Sequence, residues 1–183
     1  MCLVIATWDT HSGMVASEGR MMQQSPYPVA VGPVTKTIAA EDCFKVHRIT
    51  PSVVVGIIGW AHVTDELLVS LRTDLTTYDE AAVTRHMVRV MDKHPGVPLQ
   101  AVVMGIQGGR VHAAMWGDFD PAHPHSPTHP TNKAKVIALG DDVIASEAIK
   151  LARRGVPLQK VFETLSQKHD TINDRVHIEE IYA

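Results

Sequence analysis

Hydrophobic and polar positions change their period twice along this chain, and each change marks a change of element. The first sixty or so residues run at period 2. Leu3 to Thr7 is a short apolar run, Asp9-Thr10-His11-Ser12-Gly13 supplies turn chemistry, and Met14-Val15-Ala16 follows as the returning strand. Lys45-Val46-His47-Arg48-Ile49 alternates, Thr50-Pro51 breaks it, and Val53 to Ile58 is an almost wholly apolar, β-branched run of the kind covered on both faces. Between these pairs, Arg20 to Glu41 contains three prolines and reads as a long excursion with one short strand near Val34 to Ile38.

The period then becomes 3.6. Thr64, Leu67, Leu68, Leu71 and Leu75 make one helical face. Thr77-Tyr78-Asp79-Glu80 reads as a capping box before a second stripe of Val83, Met87, Val90 and Met91, which His94-Pro95-Gly96 ends. Period 2 returns in Leu99 to Ile106 and Arg110 to Trp116, joined as a hairpin across Gln107-Gly108-Gly109, and in Lys135 to Leu139. Asp142 reads as the cap of a helix that buries Ile144, Ala145, Ala148, Ile149 and Ala152 and stops at Gly155. Pro157 opens a further helix with Leu158, Val161, Phe162 and Leu165 inward, and Val176 to Ile181 is the last strand. Strands, two helices, strands, two helices and a strand predict a layered α+β fold with two sheets between helices.

The chain has 183 residues, 45% hydrophobic and 20% charged, which suits a single domain over 1–183 with a sizeable core. A net charge of -3 gives no bulk signal for nucleic acid or an anionic membrane. The longest apolar run, Val53 to Val63, is too short to span a bilayer, and no basic segment precedes the apolar start, so neither a membrane span nor a secretory signal is expected. Two cysteines make no disulfide framework, which points to a reducing, cytoplasmic setting.

Three residues draw attention as chemistry. Cys2 follows Met1, and its small side chain suits removal of that methionine, leaving an α-amine and a thiol on one residue. Reference values of about 7.7–8.0 for the amine and about 8.5 for the thiol let such a residue act as a nucleophile carrying its own base. Glu18 ends an apolar strand and Lys45 opens an alternating one. An ammonium beside a thiol favours thiolate, and a carboxylate holds the ammonium in place. The bland alternative is a solvated turn glutamate and an edge-strand lysine, and no spacing rule brings the three together.

A resemblance does. Met1-Cys2-Leu3-Val4-Ile5-Ala6, Ser17-Glu18-Gly19-Arg20, Lys45-Val46-His47-Arg48-Ile49, Gly56-Ile57-Ile58-Gly59-Trp60-Ala61, Ile137-Ala138-Leu139-Gly140 and His169-Asp170 follow one another as the corresponding segments do in a known family. In this order and spacing the chain resembles the proteasome β-type N-terminal-nucleophile (Ntn) hydrolases, most closely the bacterial HslV-type peptidases. The resemblance implies a four-layer αββα sandwich and hydrolysis of a peptide or amide bond by Cys2. Lys45 would tune the thiol, Glu18 would orient Lys45, the Gly59 N–H would face the oxyanion and Asp170 would support the amine. Ile57 and Trp60 would line the substrate pocket. It further implies a homo-oligomeric double ring, fed by a separate AAA+ ATPase because this chain has no phosphate loop of its own, and it implies no cofactor and no metal.

The sequence departs from the family pattern at four places. The nucleophile is Cys rather than Thr, Glu18 stands for an aspartate, Trp60 stands for a small residue, and Asp141-Asp142 replaces Ser-Gly, which leaves Asp141 as the group to assist the amine. These departures motivate two alternatives: a ring subunit or binding module that keeps the fold without the chemistry, and an amidohydrolase or acyltransferase acting on small amides. His123, His125 and His129 lie among prolines in a loop read as solvated rather than metal-binding. His62 and His112 are read as half-buried structural groups.

Overall fold

The computed structural model describes residues 2–24, 36–40, 43–126 and 134–183. The chain runs β1 (Val4–Trp8), β2 (Ser12–Glu18), β3 (Met21–Gln24), β4 (Lys36–Ala40), β5 (Val46–Thr50), β6 (Val53–Gly59), α1 (Ala61–Asp74), α2 (Glu80–Lys93), β7 (Leu99–Gln107), β8 (Arg110–Gly117), β9 (Lys135–Leu139), α3 (Asp142–Arg153), α4 (Leu158–Ser166) and β10 (Val176–Tyr182). Two antiparallel sheets of four strands result, in the orders β10-β2-β1-β9 and β5-β6-β7-β8, with β3 and β4 paired apart from them. β1 is an inner strand: Val4 stands opposite Ser17 on one side and Leu139 on the other.

Three apolar clusters follow from the alternation. Val4, Ala6 and Val15 of the first sheet meet Val54, Val102 and Met104 of the second. Val53, Val55 and Ile57 turn the other way, onto Val63, Leu67 and Leu71 of α1 and Val83, Met87 and Val90 of α2. Leu3, Ile5 and Ala16 pack on Ile144 and Ala148 of α3 and on Val161, Phe162 and Leu165 of α4. The sheets press together at Gly56, where a Cβ would lie 2.4 Å from a Val4 methyl and 3.0 Å from a Val15 methyl, so a side chain there would push β1 off β6. Gly108 and Gly109, at φ 58° and 70°, make the two-residue turn between β7 and β8, a conformation that side chains with a Cβ rarely adopt.

Several local expectations change. The cap of α2 is Asp79, whose Oδ1 accepts the Ala82 N–H at 3.0 Å, and not Thr77. Tyr78 is drawn into the core, so the helix begins beyond it. Asp141 rather than Asp142 caps α3, accepting from Val143 and Ile144 at 3.1 and 3.4 Å. The excursion between β2 and β5 contributes two paired strands rather than one. His62 and His112 are exposed. Among the described residues the buried histidine is His86, held between Ser70 Oγ at 2.6 Å and Asp74 Oδ2 at 3.1 Å. No helix among the described residues is long and apolar enough to cross a membrane.

Candidate active site

The antiparallel turn of β1 into β2 returns the chain so that the end of β2 lies beside the start of β1. That places Glu18 next to Leu3, and the Leu3 N–H donates to Glu18 Oε1 at 3.1 Å. The side chain of Glu18 also folds back on its own turn, where Oε2 accepts the Arg20 N–H at 2.5 Å. Glu18 is wholly buried, and a buried carboxylate needs a counter-charge. Lys45 supplies it from the entry to β5, only 7% exposed, with Nζ bonded to Glu18 Oε1. The same ammonium donates to the Glu18 carbonyl at 3.0 Å and to the Arg20 carbonyl at 2.6 Å. A lysine has three N–H groups, so all of them are accounted for by these oxygens.

Two further segments brace this turn. Buried Asn173 accepts the Gly19 N–H through Oδ1 at 2.9 Å, and the Cys43 N–H donates to the Gly19 carbonyl at 2.7 Å. The Arg20 guanidinium reaches the carbonyl of Asp170. Asp170 itself is exposed, and it is its main-chain oxygen that the guanidinium meets. Just before Glu18, Ser17 is fully buried and its hydroxyl has no hydrogen-bond partner among the described residues.

Cys2 is partly exposed and carries a free thiol. Its carbonyl faces Gly140, which has φ 137° and so little room that a Cβ would lie 2.3 Å from that oxygen. Asp141 follows, but its Oδ1 is engaged at the start of α3. The Ile57 N–H donates to the Lys45 carbonyl at 2.8 Å and ties β6 to the lysine's own peptide. Gly59 closes β6 with the Pro98 carbonyl close behind it, 2.8 Å from where a Cβ would stand. Trp60 is 57% exposed, and its ring meets His62 edge-on at 5.9 Å.

The recorded hydrogen bonds thus join Glu18, Lys45, Leu3, Gly19, Arg20, Cys43, Asn173 and the Asp170 carbonyl. Gly59 and Trp60 stand at the end of β6, outside that network. His47, two residues beyond Lys45, is pushed below the usual histidine range by burial, with Arg72 of α1 adding to the effect. His123 pairs with Asp120 at 2.8 Å, His125 bridges to Met115 through its main chain, and His129 lies outside the described residues, as does Met1. Among the described residues there is no group of three or more His, Cys, Asp or Glu able to hold a metal ion.

Sequence reasoning did not find Asn173, Gln100 or the bracing role of Arg20. Gln100 carried a signal, being the one amide in the apolar run Leu99 to Ile106. Asn173 carried none, since it comes to Gly19 from a separation of 154 residues.

No family model matches the chain, and no curated protein matches it. Among solved structures it is similar to eukaryotic HslV from Trypanosoma brucei, with a TM-score of 0.66 over 99% of each chain and 12% sequence identity. The likeness establishes a proteasome-like HslV fold, with two antiparallel sheets and four helices in a mixed arrangement.

Proposed function

We propose that this chain is an N-terminal-nucleophile hydrolase of peptide or amide bonds, acting through Cys2 once Met1 is removed. The observation that carries the reading is the buried Glu18–Lys45 pair hydrogen-bonded to Leu3, the residue next to Cys2. A buried ion pair costs desolvation and is a poor device for stability alone. Beside a thiol, the same pair supplies a fixed positive charge. In this reading residues 1–183 form one domain, with the helix pairs as the outer layers of an αββα sandwich.

The Cys2 α-amine takes the thiol proton, and the thiolate attacks the carbonyl carbon to form a C–S bond. Charge moves onto the carbonyl oxygen, which the Gly59 N–H faces. The amine returns its proton to the leaving nitrogen as the C–N bond breaks, and water then hydrolyses the thioester. Glu18 orients Lys45, Asp170 and Asp141 support the amine, and Trp60 borders the substrate, while the Ile57 side chain is buried against α1 and α2. The assembly is a homo-oligomeric double ring in the cytoplasm, served by a separate AAA+ ATPase.

Intact mass and a fluorogenic peptide panel test this. The expected result is a chain lacking Met1, with turnover that Cys2→Ala abolishes while the assembly persists. Full activity in Cys2→Ala overturns the reading. A second reading, a proteasome-fold subunit without chemistry, draws on one observation: the three N–H groups of Lys45 are satisfied by oxygens, leaving none to donate to the thiol. Retained Met1 and an unreactive Cys2 would favour it.

A further inference from the structure

Gln100 sits half-buried in β7, opposite Ile58 and one register step from the Gly59–Leu99 pair at the end of β6. Its Oε1 accepts the Gly140 N–H at 3.2 Å. Gly140 belongs to the other sheet's edge, following β9, where a Cβ would lie 2.3 Å from the Cys2 carbonyl oxygen. One amide side chain therefore spans from the strand beside Gly59 to the turn on which Cys2 rests.

The sheet orders give this span its meaning. β1 lies between β2 and β9, β6 lies between β5 and β7, and β1 meets β6 at Val4 and Gly56. Lys45 and Glu18 link the entry to β5 with the end of β2, on one flank of that meeting. Gln100 and Gly140 link β7 with the end of β9, on the other flank. The start of β1 is bracketed by two polar ties between the sheets, one ionic and one neutral.

We propose that Gln100 is a positioning residue that sets the spacing between Cys2 at the start of β1 and Gly59 at the end of β6. This rests on the hydrolase reading, in which that spacing is the distance from nucleophile to oxyanion donor. Acyl transfer is sensitive to such a distance, because a donor helps only where the oxyanion will form. Simple alkylation of the thiol develops no oxyanion and is insensitive to it.

The test compares Gln100→Leu, which removes the acceptor at similar bulk, with Gln100→Glu, which keeps an acceptor oxygen. In Gln100→Leu the Gly140 amide should exchange with solvent about tenfold faster, the loss of one hydrogen bond. Peptide turnover should fall about 10- to 100-fold in kcat with KM within about twofold, while the rate of Cys2 alkylation by iodoacetamide stays within about twofold of wild type. Gln100→Glu should keep the slow exchange and most of kcat, and it carries the test alone if the leucine variant fails to fold. Unchanged kcat in Gln100→Leu overturns the proposal, and so does a joint loss of kcat, KM and alkylation, which would mark general distortion.

A wild-type protein without turnover sinks the hydrolase reading separately. Gln100 is then judged by a peptide aldehyde, whose reversible adduct on Cys2 puts an oxygen at the same place. Adduct affinity at least about tenfold weaker in Gln100→Leu supports the proposal. Equal affinity, or no adduct on the wild-type protein, overturns it.

Discussion

Glu18 with Lys45 and Glu66 with Lys93 are the same two side chains in two different solvents. Glu66, on α1, accepts from Lys93 Nζ at 2.5 Å and from His94 Nε2 at 2.8 Å at the end of α2, with its surroundings open to water. Glu147, on α3, repeats the arrangement with Lys168 and His169 beyond α4. Each helix pair thus carries a glutamate held by a Lys-His dipeptide. These clamps can let go, because water replaces whatever they lose. The pair at the end of β2 has no such substitute: both partners are buried, and every N–H of Lys45 ends on an oxygen of the Glu18 to Arg20 turn. One arrangement trims the surface, while the other fixes geometry beside Cys2.

The comparison breaks if removing one member of the buried pair is harmless. Lys45→Met leaves the Glu18 carboxylate buried without its cation and should destabilise the fold by about 3–5 kcal/mol, measured by denaturant unfolding. Adding Glu18→Gln to that variant should restore much of the loss, since the uncompensated charge disappears. If the single and double variants are equally unstable, charge is not what the pair contributes.

Ser17 sharpens the contrast with a change of opposite sign. Its hydroxyl, one residue before Glu18, is buried with no partner among the described residues, so Ser17→Ala should stabilise the protein by about 1 kcal/mol. A loss of stability in thermal unfolding would mean that the hydroxyl has a partner in solution.

The smallest effects belong to the surface clamps. Hydrogen bonds from Lys93 and then His94 hold the Glu66 carboxyl down to about 2, against an ordinary 4.5. Hydrogen bonds from Lys168 and then His169 hold Glu147 below its ordinary value. A carboxyl lower in the folded than in the unfolded chain contributes stability above the unfolded value and loses it as pH falls towards the folded one. For Glu66 that window runs from about 4.5 down to about 2. Carbon-detected NMR titration should find both glutamates low at low salt and closer to ordinary at high salt, with Glu66→Gln and Glu147→Gln barely moving the unfolding midpoint at neutral pH. A large destabilisation by either would remove the distinction between clamp and core.

Much of this architecture is legible in the order of residues. The stripes of α1, α2, α3 and α4, the Gly108-Gly109 hairpin and Lys135 to Leu139 stand where periodicity puts them, because each buries one face and turns locally. Caps are less legible: Asp79 and Asp141 compete with Thr77 and Asp142, and packing of Tyr78 decides the first case. His86 was within reach, since Val83, His86, Met87 and Val90 keep helical spacing, yet its polarity disguised a core position. β3 escapes because Met21-Met22-Gln23-Gln24 has no alternation, whereas β4 overlaps the short strand expected near Val34 to Ile38. At the site, Glu18 and Lys45 can be singled out as misplaced charges. That Leu3, Gly19 and Asn173 meet around them, and that Gln100 reaches Gly140 on the other flank of β1, is a matter of sheet pairing over long separations, which composition does not encode.

The inner place of β1 also sets a timetable for synthesis. Its partner on one side, β2, follows after a short turn, but its partner on the other, β9, ends at Leu139. A ribosome making this chain must reach Leu139 before β1 can gain that second neighbour, and Tyr182 before β10 completes the sheet. Contacts of such separation form late. Until then the segment around Cys2 lacks the Gly140 turn that later lies against its carbonyl. If Met1 is to be cut away, the nascent chain offers it for most of its growth, and the closing of β9 ends that interval.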